Sequence, residues 1–158
     1  MDFYQPNSQI FQSDLEIVRL SCGYGYRCKV GQVCFCHQNI HPTPIEAYVA
    51  ACYQQVRWFV EDSEDIHCLL DPRSNKILAQ SEPDVDLFGQ VVGMNVRDLI
   101  LAPEAIADHR QEILNTGFHR QVFQALSTTG DEFECVVEES ALIVPYTSTV
   151  LHIVQVGL

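Results

Sequence analysis

Cys22, Cys28, Cys34 and Cys36 fall within 15 residues, with His37 and His41 close behind. Thiolates and imidazoles are the ligands that zinc and iron–sulfur clusters prefer. Four thiols in so short a stretch could enclose one ion, with His37 as a further ligand. The gaps between successive cysteines are five, five and one, not the two-residue gaps that form a zinc knuckle. In an extended Cys34-Phe35-Cys36 run both cysteines share a face, which permits chelation without requiring it. Zinc, an iron–sulfur cluster, a redox-labile pair and plain free thiols are all open readings of this stretch.

No other constellation announces chemistry. The chain has no G-x-S-x-G, no phosphate-binding G-x-x-x-x-G-K, no G-x-G-x-x-G and no H-E-x-x-H. A regulatory role is therefore expected ahead of an enzymatic one, with a small enzyme as the remaining alternative. The net charge of −12, from 21 acidic and 9 basic residues, repels phosphate backbones and anionic membrane surfaces. Neither nucleic acid nor a membrane is expected as a partner. Met1–Pro6 does not read as a secretory signal and no run of 18 apolar residues occurs. A cytoplasmic location is the expectation, where thiols stay reduced. Hydrophobic residues make up 47% of 158, ample for a core.

The elements that must hold these residues follow from periodicity and turn chemistry. Residues 1–14 are polar and read as an arm. Leu15–Val18 is a short, mostly apolar run. Cys28–Val30 and Val33–Cys36 read as two short strands around Gly31-Gln32, too little to form a core without packing on the main domain, a partner or a metal. Thr43 is a good N-cap and Pro44 a good first helical residue. A helix is expected to about residue 60, with Ile45, Tyr48, Val49, Cys52, Val56 and Phe59 on its apolar face. The acidic stretch Glu61–Asp65 ends it.

From Ile66 the pattern becomes two strands, Ile66–Leu70 and Lys76–Ala79, around the turn residues Asp71–Asn75. A short helix from Pro83 is stopped at Gly89, and a helical turn follows near Val96–Leu101. Pro103 opens a longer helix whose face is marked by Ile106, Ile113 and Leu114, with Gly117 suited to end it. Three strands close the segment: Arg120–Ser127, Glu132–Leu142 and Thr149–Val156. Phe133, Cys135 and Val137 alternate against Glu132, Glu134 and Glu138, as in a strand with one buried face. The last strand is apolar on both faces, which suits a central position. Cys52, Cys68 and Cys135 read as core residues. The result is an α+β plan with one antiparallel sheet. Its divisions are residues 1–41 as arm and Cys-rich extension, 42–61 as linking helix and 62–158 as the main domain.

Residues 66–156 resemble the PAS family. The resemblance lies in Leu70-Asp71-Pro72 with Lys76–Ala79, in Leu87-Phe88-Gly89 followed by Val92-Gly93 and Asp98-Leu99, in Thr129–Phe133, and in the closing Val150–Gln155. Ser81 stands where the family often has asparagine. The resemblance implies a five-stranded antiparallel sheet with helices over one face, and a pocket for a cofactor or small ligand or a surface for dimerisation. In this family a helix before the domain often contacts a protein partner or a second copy, so the stripe on residues 43–60 is a candidate binding face, with packing on its own sheet as the equal alternative. Haem-binding members can ligate iron through a histidine on the long helix, which makes His109 the candidate. The flavin-binding light sensors carry a reactive cysteine, and Gln90–Asn95 has none. The first and fifth strands are neighbours in this family, so His67 and His152 could approach each other. The implied function is a sensory module that signals by ligand- or redox-dependent protein interaction. The alternative is a metal- or iron–sulfur-based sensor built on Cys22, Cys28, Cys34, Cys36 and His37.

Overall fold

The computed structural model describes residues 15–30 and 33–158, with side chains for 15–27 and 40–158. Two compact units emerge. One comprises residues 60–142 and 150–158, the other the described residues up to 59 together with 143–149.

The first unit is built on five strands: β4 His67–Asp71, β5 Lys76–Gln80, β6 Phe118–Leu126, β7 Glu132–Ile143 and β8 Val150–Gly157. They form an antiparallel sheet in the order β5-β4-β8-β7-β6. The first and last strands are thus neighbours, as expected. Burial follows position. In β8, Leu151, His152, Ile153 and Val154 are all buried, and in β4 so are Cys68, Leu69 and Leu70, which requires apolar side chains in both phases. β7 alternates, with Cys135 and Val137 buried and Glu132, Glu134 and Glu138 outside that phase.

Three helical pieces connect β5 to β6: α2 Glu82–Phe88, a 3-10 turn Val96–Leu99 and α3 Ala105–Thr116. Each boundary has a local cause. Ser81 caps α2, its hydroxyl accepting from Asp84 N, and it also accepts from His67 N and donates to the Asp65 carbonyl. Serine therefore fills this position with three backbone contacts. Gly89 ends α2 at φ 92°, and a Cβ there would collide with Thr128 Oγ1. Gly117 ends α3 in the left-handed region at φ 83°, a conformation that favours glycine. Ile106, His109 and Ile113 form the buried face of α3, whereas Leu114 is 75% exposed. Leu114 does not mark that face, because position 109 completes the 106–113 spacing and position 114 lies beyond it.

The second unit has one helix, α1 Pro44–Glu61, and a sheet in the order β1-β2-β3 from Leu15–Leu20, Gly23–Val30 and Val33–His41. The expectation of two short strands here is corrected to three longer ones. β2 extends back through Gly23-Tyr24-Gly25-Tyr26, where tyrosines favour extended chain, and Leu15–Leu20 pairs with it. Tyr26 is 2% exposed and clusters with Ala50 and Ala51 of α1 and with Leu15 and Ile17. The small sheet thus draws its core from α1. Thr43 caps the helix as expected, accepting from Glu46 N at 3.2 Å. The buried face is Ala47, Ala51, Cys52, Gln55, Val56 and Val60, while Ile45 is 58% exposed. Cys52 and Val56 of the expected stripe are thus buried, Tyr48, Val49 and Phe59 are half-buried, and Ile45 alone falls outside; the added close-packed positions hold alanines, which carry little weight in a hydrophobic stripe. The expected arm, residues 1–14, lies outside the described residues.

Candidate functional site

Between the sheet and the connecting helices of the first unit lies a cavity of about 60 Å³. Cys68, Ile77, Phe123, Cys135, Val137 and Val154 wall it from the sheet. Phe88, Val91, Leu99 and Ile106 wall it from the connection between β5 and β6. These are the same residues that form the unit's main hydrophobic cluster. Four polar side chains share the wall: Asp84, His109, Arg110 and Glu139.

Glu139 is the hub. Its place on β7 follows the buried phase of Cys135 and Val137, so a carboxylate is carried inward. His152 Nδ1 lies 2.6 Å from Glu139 Oε2, and a carboxylate acceptor there fixes the proton on Nδ1. Arg110 Nε donates to the same oxygen at 3.2 Å, while Arg110 Nη1 donates to the Pro72 carbonyl at 3.2 Å and to Asn75 Oδ1 at 2.9 Å. One guanidinium thus ties α3 to β7 and to the β4–β5 turn. That turn is itself tightly wound, with Asn75 at φ 60°. His109 Nε2 stands 3.5 Å from Glu139 Oε1, and among the described residues neither ring nitrogen of His109 has a hydrogen-bond partner. Burial raises the Glu139 pKa, but contacts from His109 and His152 and the charges of His152 and Arg110 outweigh it and hold the carboxyl at about 2.

Asp84 is the opposite case. It is 2% exposed, and Oδ2 accepts from Gln80 Nε2 at 2.7 Å. Gln80 also donates to the Gly89 carbonyl and accepts from Val91 N, so one amide pins both ends of α2. Burial pushes the Asp84 pKa up to about 6, and the Gln80 hydrogen bond offsets this only in part.

The expected site residues fare differently. His109 is on α3 and reaches the cavity wall. The residues around it do not fit haem: the cavity is about 60 Å³, against several hundred for a pocket that takes a large cofactor. His67 and His152 do not meet. His67 pairs with Gln155 and His152 with Leu70, so the two histidines fall in opposite phases of the sheet. His67 Nδ1 contacts Ser63 Oγ at 2.6 Å. Cys22 is exposed, while Cys52, Cys68 and Cys135 are buried and free. The side chains of Cys28, Cys34, Cys36 and His37 lie outside the described residues, and so does any metal site they form. In the β2–β3 register Cys28 stands opposite Phe35, Cys34 opposite Lys29 and Cys36 opposite Arg27. Among the described residues no group of three or more His, Cys, Asp or Glu side chains could hold a metal.

Sequence reasoning missed Glu139, Asp84 and Arg110. A charge in the buried phase of β7 was the available signal for Glu139.

No protein-family model and no curated protein matches the chain. Solved structures do, and they show the fold to be PAS-like. A PAS domain from a two-component sensor histidine kinase superposes with a TM-score of 0.55 at 14% identity, over 68% of this chain and 96% of that one. The Rhodobacter sphaeroides LOV protein gives 0.56 at 15% identity, over 68% and 67%. The PAS-B domain of Drosophila melanogaster Cycle, with bound ethylene glycol, gives 0.52 at 13% identity, over 58% and 97%.

Proposed function

We propose that this chain is a sensory PAS-type module whose cavity occupancy, or redox state, sets its association with another protein or with a second copy. The observation that carries this reading is the connection out of the cavity. Arg110 sits in the cavity wall and bonds at once to β7 and to the β4–β5 turn. A ligand that favours a shifted α3 has a route to the surface of the sheet, provided its affinity differs between the two arrangements. Cycle PAS-B, a structural neighbour, holds a small polyol, and small-molecule occupancy is the property we carry over. The partner contact is assigned to residues 43–60 and the sheet, where Ile45, Tyr53 and Val122 are exposed. The charge of −12 directs this contact to protein and away from nucleic acid.

The test is to fill the cavity. Val137→Phe occupies the space from the sheet side at a stability cost of about 1–3 kcal/mol. Self-association by sedimentation, and partner capture under reducing and oxidising conditions, should differ between this variant and the wild type. Identical association in both, in either redox condition, overturns the proposal.

A further inference from the structure

We infer that the cavity is a site for a small primary ammonium ion with a short alkyl body, held through Asp84. The inference deepens the sensory reading and rests on it.

The wall is apolar apart from four residues, and their charges are unevenly matched. Glu139 has Arg110 and His152 on one oxygen. Arg110 gives Nε to Glu139 and Nη1 to the Pro72 carbonyl and Asn75 Oδ1, and it donates nothing to Asp84 among the described residues. Asp84 has no such partner. Gln80 donates to Oδ2, Oδ1 accepts from no described residue, and no lysine, arginine or histidine pairs with it. A carboxylate in an apolar wall without a cation is costly. The shift of its pKa to about 6 expresses that cost and still leaves the group charged at neutral pH. The other titratable groups around the cavity do not relieve it. Cys68 on β4 and Cys135 and Glu139 on β7 add no positive charge, and His109 and Arg110 on α3 face Glu139.

The missing component is a cation with N–H donors, which an ammonium supplies to Oδ1. The space sets its size. About 60 Å³, at 10–15 Å³ per water-sized occupant, takes roughly four to six light atoms. Ile77, Val91, Leu99 and Val154 would enclose the alkyl part. An anion would meet Asp84 and Glu139 together. A neutral alcohol could hydrogen-bond but would leave the charge unmatched.

The experiment uses the 158-residue chain and three probes of similar size: n-butylammonium, n-butanol and propionate. Binding is read from the methyl chemical shifts of Ile77 and Ile106 at pH 7.5 and pH 5.0. n-Butylammonium should bind about tenfold or more tightly than n-butanol at pH 7.5. It should lose about tenfold at pH 5.0, where Asp84 is mostly protonated. Asp84→Asn should abolish both the preference and the pH dependence. Equal or tighter binding of n-butanol, or a preference unchanged by Asp84→Asn, overturns the ammonium assignment while leaving ligand sensing intact. Absence of any shift with all three probes also overturns it, and the cavity-filling variant then decides the sensory reading independently. The wild-type pH profile keeps the inference falsifiable even if Asp84→Asn fails to fold.

Discussion

Glu139 and Asp84 are two buried carboxyls in one wall, and their surroundings push their pKa values in opposite directions. The pH dependence of stability follows from the signs. Glu139 is held at about 2 against an ordinary 4.5, so its contribution is present above the ordinary value and is lost as pH falls toward 2. Asp84 is raised to about 6 from 3.8, so its contribution is present below 3.8 and is lost as pH rises through 6. Relative to wild type, Asp84→Asn should therefore gain stability between pH 4 and pH 7, on the order of 3 kcal/mol. Chemical denaturation at a series of pH values checks this, and a flat difference would refute it. Glu139→Gln leaves Arg110 and His152 facing a neutral amide and should cost about 3 kcal/mol at pH 7. Part of this was legible beforehand. Ile106, His109 and Ile113 are spaced as one helical face, so the burial of His109 could have been read from the sequence. The meeting of Arg110 with Glu139 could not, because 29 positions separate them and only the closed sheet brings them together. Asp84 was equally hidden, since α2 has seven residues and too few turns to define an inward face.

Among the elements, α1 shows what hydrophobic periodicity can and cannot locate. Its start follows from Thr43 and Pro44 and the inward placing of Cys52 and Val56 from the stripe, but the burial of Ala47 and Ala51 and the exposure of Ile45 do not. Gln55 is fully buried on that face, and among the described residues neither of its amide atoms has a hydrogen-bond partner. Gln55→Met keeps the volume and removes the unsatisfied amide, so it should stabilise the chain by about 1 kcal/mol. A lowered urea midpoint would contradict this. The junction at the end of α2 makes the reverse prediction. Gly89 combines φ 92° with the approach of Thr128, so Gly89→Ala should destabilise by about 2 kcal/mol or more. An unchanged midpoint would show that the junction can relax.

For the whole molecule, element order was legible from residue 66 onward, because each turn carries its own chemistry: Asp71–Asn75, Gly89, Gly117 and Thr128–Asp131. The sheet order was legible only through the family resemblance. Nothing local to β8 states that it lies beside both β4 and β7, although its apolar residues in both phases fit a central place. The strands between residues 15 and 41 were least legible, since they pair with each other and take their core from a helix that follows them. The cavity could be anticipated as a kind but not in its size or its charges.

The position of β8 has a consequence in time. Residues 150–157 are the last of the sheet's five strands in chain order, yet they join the β4–β5 pair to the β6–β7 pair. Until they emerge, the nascent chain holds two separate hairpins, each a marginal structure by itself. The cavity, its charged wall and the link through Arg110 thus become available together, when synthesis has reached β8. Removing residues 150–158 should accordingly eliminate cooperative unfolding altogether, where loss of an edge strand would only weaken it. A truncated chain that still melts in one sharp transition would show that the two hairpins can find each other without their joint.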